Sequence, residues 1–377
     1  MSLVGEGLWN LWNVPNFPTS QHPTPTTLHQ EDNTQAADSQ ALQPLRLSPQ
    51  YISATPLFSS NMASAESNSV PSESSATAVL TCHLYKDTPS TRIENELREL
   101  YGAGINSDAP LDAEELLAID TMHYEGQNGT LRMMKLFPAK PAGSSPVQVL
   151  DLGSGFGGCA RFVALRAPEP AGARVTALEI QAGISDTAAV LTKRCGLADK
   201  VTHATADASA PEGLGAVLGP AHGTFEVVFS KLVVLHIPYE ARKQLWANLA
   251  AAAPGALLYL EDFFDNTVGD GRGDYTSEEL TALETRVGCP RPPTREAWCK
   301  QLEDAGCTNI CFEDCTPAWA AFVAGRSANY REAKERHERV QGPQVYARMQ
   351  EFYDTTSNFL GSARLGGCFI TAQLPSK

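Results

Sequence analysis

The chain lacks several features that mark common classes of protein. It contains no run of about 18 apolar residues, so no membrane-spanning helix is expected. Acidic residues outnumber basic ones by 43 to 29, and this net charge of -14 argues against nucleic acid as a partner, because phosphate binding needs clustered Lys and Arg. The nine cysteines include no Cys-x-x-Cys pair, which predicts reduced thiols in an intracellular compartment. This composition suits a soluble protein that acts on small metabolites.

Residues 1–80 contain no lysine, have Arg46 as their only arginine and show no long apolar periodicity. They are rich in Ser, Thr, Gln, Asn and Pro, and such a segment cannot bury enough apolar surface to offset the entropy of ordering. We therefore predict a disordered tail over 1–80 and a folded domain over 81–377. The tail lacks the basic segment and apolar run of a secretory signal, so a cytoplasmic location is expected, while organellar targeting stays open.

The most informative motif is a glycine-rich turn, Asp151-Leu152-Gly153-Ser154-Gly155-Phe156-Gly157-Gly158. An apolar run over 147–150 precedes it and a helical pattern follows it, which predicts a strand, a turn and a helix. The glycines have no Cβ, so the backbone can turn tightly and come close to a ligand. The turn predicts a nucleotide-like ligand at this edge of an open sheet.

The residue type at position 151 distinguishes between ligands. Asp151 stands two positions before Gly153, where dinucleotide-binding turns place a phosphate and have no use for a carboxylate. A carboxylate there suits an ammonium group, and S-adenosylmethionine (SAM) has an ammonium and a sulfonium but no phosphate. The turn therefore favours SAM over NAD or FAD, and a turn without a ligand is the remaining alternative.

Polar residues also end the following predicted strands. Glu179 ends a strand over 173–180, about 20 residues beyond the turn, where a carboxylate can accept both ribose hydroxyls. Asp207 ends a strand over 200–207 and is expected to bind an adenine amino group or to cap a turn. Ser230, in the strand over 225–231, is the last residue assigned to the cofactor site.

Strands and helices alternate over the rest of the chain. Further strands are predicted over 256–262, 309–312 and 367–372, helices over 239–253 and 294–305, and a long helical stretch over 319–360. The alternation predicts an α/β fold, a Rossmann-like, doubly wound sheet of seven strands.

These motifs together resemble the class I SAM-dependent methyltransferases, and within them the small-molecule group that contains sarcosine/dimethylglycine N-methyltransferases and phosphoethanolamine methyltransferases. The resemblance extends from about Ile93 to the end of the chain, and it implies a helical cap over the substrate, with segments near 93–137 and 316–362. The matching segments are 149–158, Ala160-Arg161, 196–201, 225–230, Leu235-His236 and 366–372.

Four residues are candidates for the substrate side of the site. His123 and Tyr124 lie in a stretch that resembles the His-Tyr-x-Gly segment of this group's cap, and an aromatic face can stabilise a developing onium charge. His123 or His236 could serve as a base for an acceptor that must lose a proton, and a structural role is the alternative for His236. Lys231 stands where the group carries a polar or acidic residue, and it is expected to bind a substrate carboxylate, to pair with a nearby acidic residue or to point to solvent.

These residues predict a metabolite methyltransferase whose product is a zwitterionic onium compound. One fitting acceptor is a thioether carboxylate such as methylthio-hydroxybutyrate, on the route to dimethylsulfoniopropionate, which is preferred because it is neutral before attack. The other is sarcosine or dimethylglycine, on the route to glycine betaine. A non-catalytic SAM-binding regulator is the alternative from a different class.

Cys307, Cys311 and Cys315 recur every four residues, which places them on one face of a predicted strand. No His or fourth Cys completes a zinc-binding set, so we expect small buried side chains and no metal.

Overall fold

The computed structural model describes residues 89–221, 223–268 and 273–376. The tail predicted over 1–80 lies outside these described residues. Three helices come first: Pro89–Tyr101 (α1), Ala113–Asp120 (α2) and Gln127–Met134 (α3).

Strands and helices then alternate as the sequence predicts. The elements are Val147–Leu152 (β1), Gly158–Arg166 (α4), Ala173–Glu179 (β2), Ala182–Arg194 (α5), Val201–Thr205 (β3), Gly215–Leu218 (α6), Val227–Lys231 (β4), Tyr239–Ala252 (α7) and Leu257–Asp265 (β5).

The last part of the described chain adds a helical layer and two strands. Its elements are Ser277–Ala282 (α8), a π-helical turn over Leu283–Val287, Arg295–Asp304 (α9), Thr308–Asp314 (β6), Thr316–Glu332 (α10), Lys334–Gln341 (α11), Pro343–Gly361 (α12) and Leu365–Gln373 (β7). The helical stretch predicted over 319–360 is present and is divided into three helices, α10, α11 and α12. The helix is interrupted at Ala333 and again at Gly342. Gly342 has a φ of +86°, which ends α11, and the following Pro343 begins α12.

The seven strands form one sheet in the order β3-β2-β1-β4-β5-β7-β6. The first five strands are parallel, and β7 inserts antiparallel between β5 and β6. The predicted doubly wound α/β sheet is confirmed. Its strand order reverses between β1 and β4, and a crevice forms at such a switch point, outside the carboxyl ends of the strands.

Both faces of the sheet are covered by helices, so a ligand can reach the sheet only at its edges. Val149 and Phe229 pack on one face among residues of α4, α10 and α12, while Leu150 and Val228 pack on the other face with Trp246 of α7. Strands buried on both faces read as continuous apolar runs, as β1 and β4 do. The carboxyl ends of these strands are therefore where a ligand can reach the sheet.

The cysteine triplet does not share one face, so that prediction is wrong. Cys307 packs with the second face of the sheet and Cys315 with the first, while Cys311 is exposed. The register of β6 shifts between Thr308 and Cys311, and Asn309 takes a left-handed φ of 53° there. A bulge of this kind inserts an extra residue and reverses the alternation of faces that a regular strand would have.

Candidate active site

A cavity of about 290 Å³ opens beside the glycine turn, at the carboxyl edge of the sheet. Both segments predicted as caps contribute to its wall, the first through α1 and the loop after α2, the second through the end of α11 and α12. Ten of the predicted site residues line it: His123, Tyr124, Asp151, Gly153, Ser154, Gly155, Glu179, Asp207, Lys231 and His236.

Two predicted site residues do not line this cavity. Gly157 is the N-cap residue of α4, so it connects the turn to the helix and does not face the cavity. Ser230 alternates with Lys231 along β4, and so its side chain points to the opposite face of the sheet, where it is buried.

The glycines of the turn have different surroundings. Gly153 and Gly155 both take a left-handed φ, +71° and +53°, which side chains with a Cβ rarely adopt. A Cβ on Gly153 would collide with the side chain of Val233, whereas a Cβ on Gly155 would meet nothing within 4 Å. Gly153 therefore allows tight packing of the turn on the loop after β4, and Gly155 leaves space open towards the cavity.

Asp151 is the second-last residue of the apolar strand β1, in an environment that disfavours its charge. It is 3% exposed, and its Oδ2 atom has no hydrogen-bond partner among the described residues. Burial raises the pKa of Asp151 to about 8, although Lys231 opposes the rise. A buried carboxyl group without a donor is costly, and a cationic group placed against it would relieve that cost.

Glu179 is held in a fixed orientation at the end of β2. Its Oε2 accepts from the backbone N–H of Gly155 and its Oε1 from that of Gln181, each at 3.0 Å. Burial raises the pKa of Glu179, and these two backbone donors oppose the rise. The carboxylate thus ties the glycine turn to β2 and presents its remaining lone pairs from a rigid position.

Asp207 lies two residues beyond β3 and caps a turn. Its Oδ1 accepts from the backbone N–H of Ser209 at 2.8 Å and from the hydroxyl of the same residue at 2.7 Å. The structure therefore shows the turn-capping arrangement that was one of the two expectations, at a position that also lines the cavity.

Lys231 has a partner inside the protein. Its Nζ lies 2.9 Å from Oε1 of Glu261, and the hydroxyl of Tyr259 donates to the same oxygen at 2.8 Å. The side chains of the ion pair are 4% and 1% exposed. A Cβ on Gly129 of α3 would lie 3.0 Å from that oxygen, so α3 packs directly on the pair. Of the roles expected for Lys231, pairing with an acidic residue is the one observed.

His123 has both ring nitrogens engaged. Nδ1 lies 3.1 Å from the carbonyl oxygen of Tyr124, which can only accept, so Nδ1 carries the proton. Nε2 lies 2.9 Å from Sγ of Cys159, and the thiol therefore donates to it. Burial, together with the charge of Lys231, lowers the pKa of His123 well below its usual value. The neutral ring is fixed in place and does not present a free lone pair to the cavity.

His236 is also neutral. Its Nδ1 donates to the carbonyl oxygen of Gly288 at 2.7 Å, and burial lowers its pKa to about 4. Such a ring is a weak base near neutral pH.

Aromatic rings form the wall behind His123. Tyr124 meets Trp319 edge to face, with ring centroids 4.9 Å apart, and lies 6.0 Å from the ring of Phe263. Phe352 and Met349 of α12 continue this wall. The cavity therefore combines a polar end at the glycine turn with an apolar, water-excluding side.

The other aromatic residues of the second cap segment serve packing. Tyr330 stacks on His337, with ring centroids 4.0 Å apart, and on Tyr346 at 5.4 Å. All three are buried, which agrees with ordinary packing of amphipathic helices.

Arg92, Cys159 and Gln341 are among the residues of the cavity wall that were not predicted from the sequence. Cys159 directly follows the glycine turn, so its place in the cavity wall could have been inferred. Arg92 and Gln341 come together because α1 packs on the end of α11, where the Gln341 amide donates to the carbonyl oxygen of Arg92 at 3.2 Å. They are 249 residues apart, and no local pattern announces that contact.

No described helix has the length and apolar character needed to span a membrane.

Comparison with known proteins places the fold. The chain matches no protein-family model, and the curated proteins contain no significant match. Solved structures do match it. Phosphoethanolamine N-methyltransferase 2 of Haemonchus contortus, in complex with phosphomonomethylethanolamine and S-adenosylhomocysteine, has a TM-score of 0.57 at 19% identity over 76% of this chain. The match covers 61% of that enzyme, so this chain spans less than two thirds of its length.

Two further structures match over nearly their whole length. One, from Galdieria sulphuraria, is assigned as a sarcosine dimethylglycine methyltransferase and has a TM-score of 0.55 at 14% identity, covering 78% of this chain and 99% of that one. The other is the cyclopropane synthase MmaA2 of Mycobacterium tuberculosis, with a TM-score of 0.56 at 16% identity and the same coverage of 78% and 99%. At these identities the likeness shows the fold, and the fold is the one found in SAM-dependent methyltransferases.

Proposed function

We propose that this protein is a SAM-dependent methyltransferase that methylates a small carboxylate-bearing metabolite to give a zwitterionic onium product. The observation that carries the proposal is Asp151, a buried carboxyl group without a donor, beside a turn whose Gly155 faces open space. The structural neighbours support it, since the Haemonchus contortus enzyme was crystallised with S-adenosylhomocysteine and with SAM.

The residues around the turn fit the parts of SAM. Asp151 would receive the ammonium group, because a cation offsets the cost of the buried carboxylate. Glu179, already oriented by two backbone donors, would accept from the ribose hydroxyls, and Asp207 from the adenine amino group. When bound, SAM supplies a methyl group activated by a sulfonium.

The aromatic side of the cavity would hold the acceptor. Tyr124 and Phe263 exclude water and present ring faces, which stabilise a developing onium charge. In-line attack on a methyl group depends mainly on holding the nucleophile at the right distance and angle. His123 would act here by fixing Tyr124 and the cavity wall, since its ring nitrogens are engaged.

The weak basicity of both histidines favours a thioether over an amine. A thioether has no proton to lose and is neutral before attack, whereas an amine must first be deprotonated. A base with a pKa of about 4, as in His236, gives an amine little help near pH 7. We therefore favour S-methylation of a thioether such as methylthio-hydroxybutyrate, in dimethylsulfoniopropionate synthesis. N-methylation of sarcosine or dimethylglycine is the second candidate.

A turnover assay with labelled SAM tests this proposal. The full chain is incubated with methylthio-hydroxybutyrate, sarcosine, dimethylglycine and phosphoethanolamine, and the methylated product is quantified. The expected result is the highest kcat/KM for methylthio-hydroxybutyrate, and higher values for sarcosine or dimethylglycine would support the second candidate instead. SAM binding without turnover of any acceptor would contradict the proposed enzymatic activity and support a SAM-binding regulator. Asp151→Asn serves as the control and should lose most SAM binding.

A further inference from the structure

We infer that Arg92 of α1, and not Lys231, binds the anionic group of the methyl acceptor. The cap side of the cavity would then select acceptors that carry a carboxylate, held by a guanidinium group. This inference rests on the proposed methyl transfer and names the residue that selects its acceptor.

The side chain of Arg92 is half-buried in the cavity wall, where few acceptors are available to its N–H groups. A guanidinium group has five N–H donors. The hydrogen bond that the Arg92 side chain makes among the described residues goes to Sδ of Met122, at 4.0 Å, and a thioether sulfur is a weak acceptor. Described carboxylates form no ion pair with it. A charged group in this position is suited to an anion that enters from the cavity.

The acidic residues of α1 are committed to other cations. Each of the three glutamates on this helix forms an ion pair at 2.6–2.7 Å with a different arginine. None of the three therefore neutralises Arg92 within its own helix. The pairs are Glu94 with Arg98, Glu96 with Arg336 and Glu99 with Arg339.

The carboxylate of α2 that lies nearest in the cavity wall is committed as well. Asp120 forms an ion pair with Arg161, and both side chains are 0% exposed. Burial raises the pKa of Asp120 to about 6, while the charges of Arg161 and Arg92 oppose the rise. Arg92 is thus close enough to influence Asp120 electrostatically, but the hydrogen bonds of that carboxyl group go to Arg161 and Thr121.

Lys231 differs from Arg92 because its charge is already paired inside the protein. Its ammonium group is already bonded to Glu261, so a substrate carboxylate there would have to compete with a buried partner. The backbone of Arg92, in contrast, is fixed from the cap by Gln341, whose amide donates to the Arg92 carbonyl oxygen at 3.2 Å and to Glu96 at 2.8 Å. Arg92 is therefore positioned by the cap while its side chain faces the cavity.

The charge suits a carboxylate. One planar guanidinium matches one carboxylate through two parallel hydrogen bonds. The aromatic wall around Tyr124 and Phe352 would hold the apolar, nucleophilic end of the same molecule. An acceptor with a neutral sulfur or nitrogen at one end and a carboxylate at the other fits this division of the cavity.

Calorimetry on the full chain saturated with S-adenosylhomocysteine tests the inference without depending on turnover. The probes are methylthio-hydroxybutyrate and dimethylglycine, each compared with its uncharged amide. We expect the wild type to bind at least one acid about tenfold more tightly than its amide, and Arg92→Met to reduce that ratio to about twofold or less. Arg92→Lys keeps the charge but loses the two parallel N–H donors of the guanidinium group. Its acid-to-amide ratio should fall between those of the wild type and Arg92→Met. Arg98→Met, on the same helix but paired with Glu94 outside the cavity, is the matched control and should keep the wild-type ratio.

Several results would overturn the inference. These are an unchanged acid-to-amide ratio in Arg92→Met, no preference for either acid in the wild type, or loss of S-adenosylhomocysteine binding in Arg92→Met. If phosphoethanolamine binds more tightly than either acid, and Arg92→Met weakens that binding, the anion bound by Arg92 is a phosphate and not a carboxylate. The proposed function fails separately, when the wild type binds an acid in this way but transfers no methyl group to it.

Discussion

Lys231 and Glu261 face each other across the neighbouring parallel strands β4 and β5, with Nζ and Oε1 2.9 Å apart and both side chains buried. Replacing Lys231 by Met is expected to lower the free energy of unfolding by about 3–5 kcal/mol, because it leaves the Glu261 carboxylate buried without its cation. Denaturant unfolding measures the change. The double variant Lys231→Met with Glu261→Gln should recover most of it. Lys300→Met, which removes an exposed pair with Asp304, is the control and should unfold like the wild type.

The two glycines of the turn should respond differently to the same substitution. Gly155→Ala adds a methyl group that faces the cavity, so we expect at least a tenfold loss of SAM affinity and a loss of stability of only about 1–2 kcal/mol from the left-handed backbone. Gly153→Ala should destabilise the fold more strongly, since its methyl group collides with Val233.

Gly172→Ala supplies the matched control for Gly155. Its φ is +66° and a Cβ there would meet nothing within 4 Å, but it does not line the cavity. It should match Gly155→Ala in thermal unfolding and the wild type in SAM affinity by calorimetry. Equal SAM affinity of the Gly155 and Gly172 variants would contradict a ligand at the turn.

SAM binding should release a proton near neutral pH. With a pKa of about 8, Asp151 is mostly protonated at pH 7 in the free protein, and it must ionise to receive the ammonium group. Affinity should therefore fall as the pH drops below about 8. Calorimetry at pH 7 in two buffers of different ionisation enthalpy should show release of close to one proton by the wild type. Asp151→Asn should release no proton on binding SAM. If the wild type also releases none, Asp151 does not bind the ammonium group.

His236→Asn separates the two candidate reactions. Its amide can still donate to the carbonyl oxygen of Gly288, as Nδ1 of His236 does, but the basic nitrogen is lost. For a thioether acceptor, kcat should stay within about threefold of the wild type and remain flat between about pH 6 and 9, because no proton is removed. A loss of roughly a hundredfold would identify His236 as a general base and favour an amine.

Local sequence determines the half of the candidate site that lies at the glycine turn. Asp151 and Glu179 could be placed in one cavity because each lies at the end of a predicted strand, and the carboxyl ends of parallel strands meet at one edge. The partner of Lys231 could also have been found, since β4 and β5 are neighbours and Lys231, the last residue of β4, is paired in register with Glu261 of β5.

The cap could not be predicted to the same degree. The contact of Arg92 with Gln341 depends on the packing of two distant helices, and the bulge at Asn309 depends on pairing between β6 and β7. Both are tertiary effects that override the local periodicity from which strands and helices are predicted.

The ion pairs between α1 and α11 join two parts of the chain that are 240 residues apart. Arg336–Glu96 is nearly shielded from solvent, with exposures of 17% and 1%, whereas Arg339–Glu99 is exposed at 61% and 30%. Dissolved salt weakens exposed pairs far more than shielded ones. The cap is therefore sensitive to ionic strength at its outer pair, while the glycine turn is held by backbone hydrogen bonds that salt hardly affects. Acceptor affinity and cofactor affinity should consequently respond separately to the salt content of the surroundings.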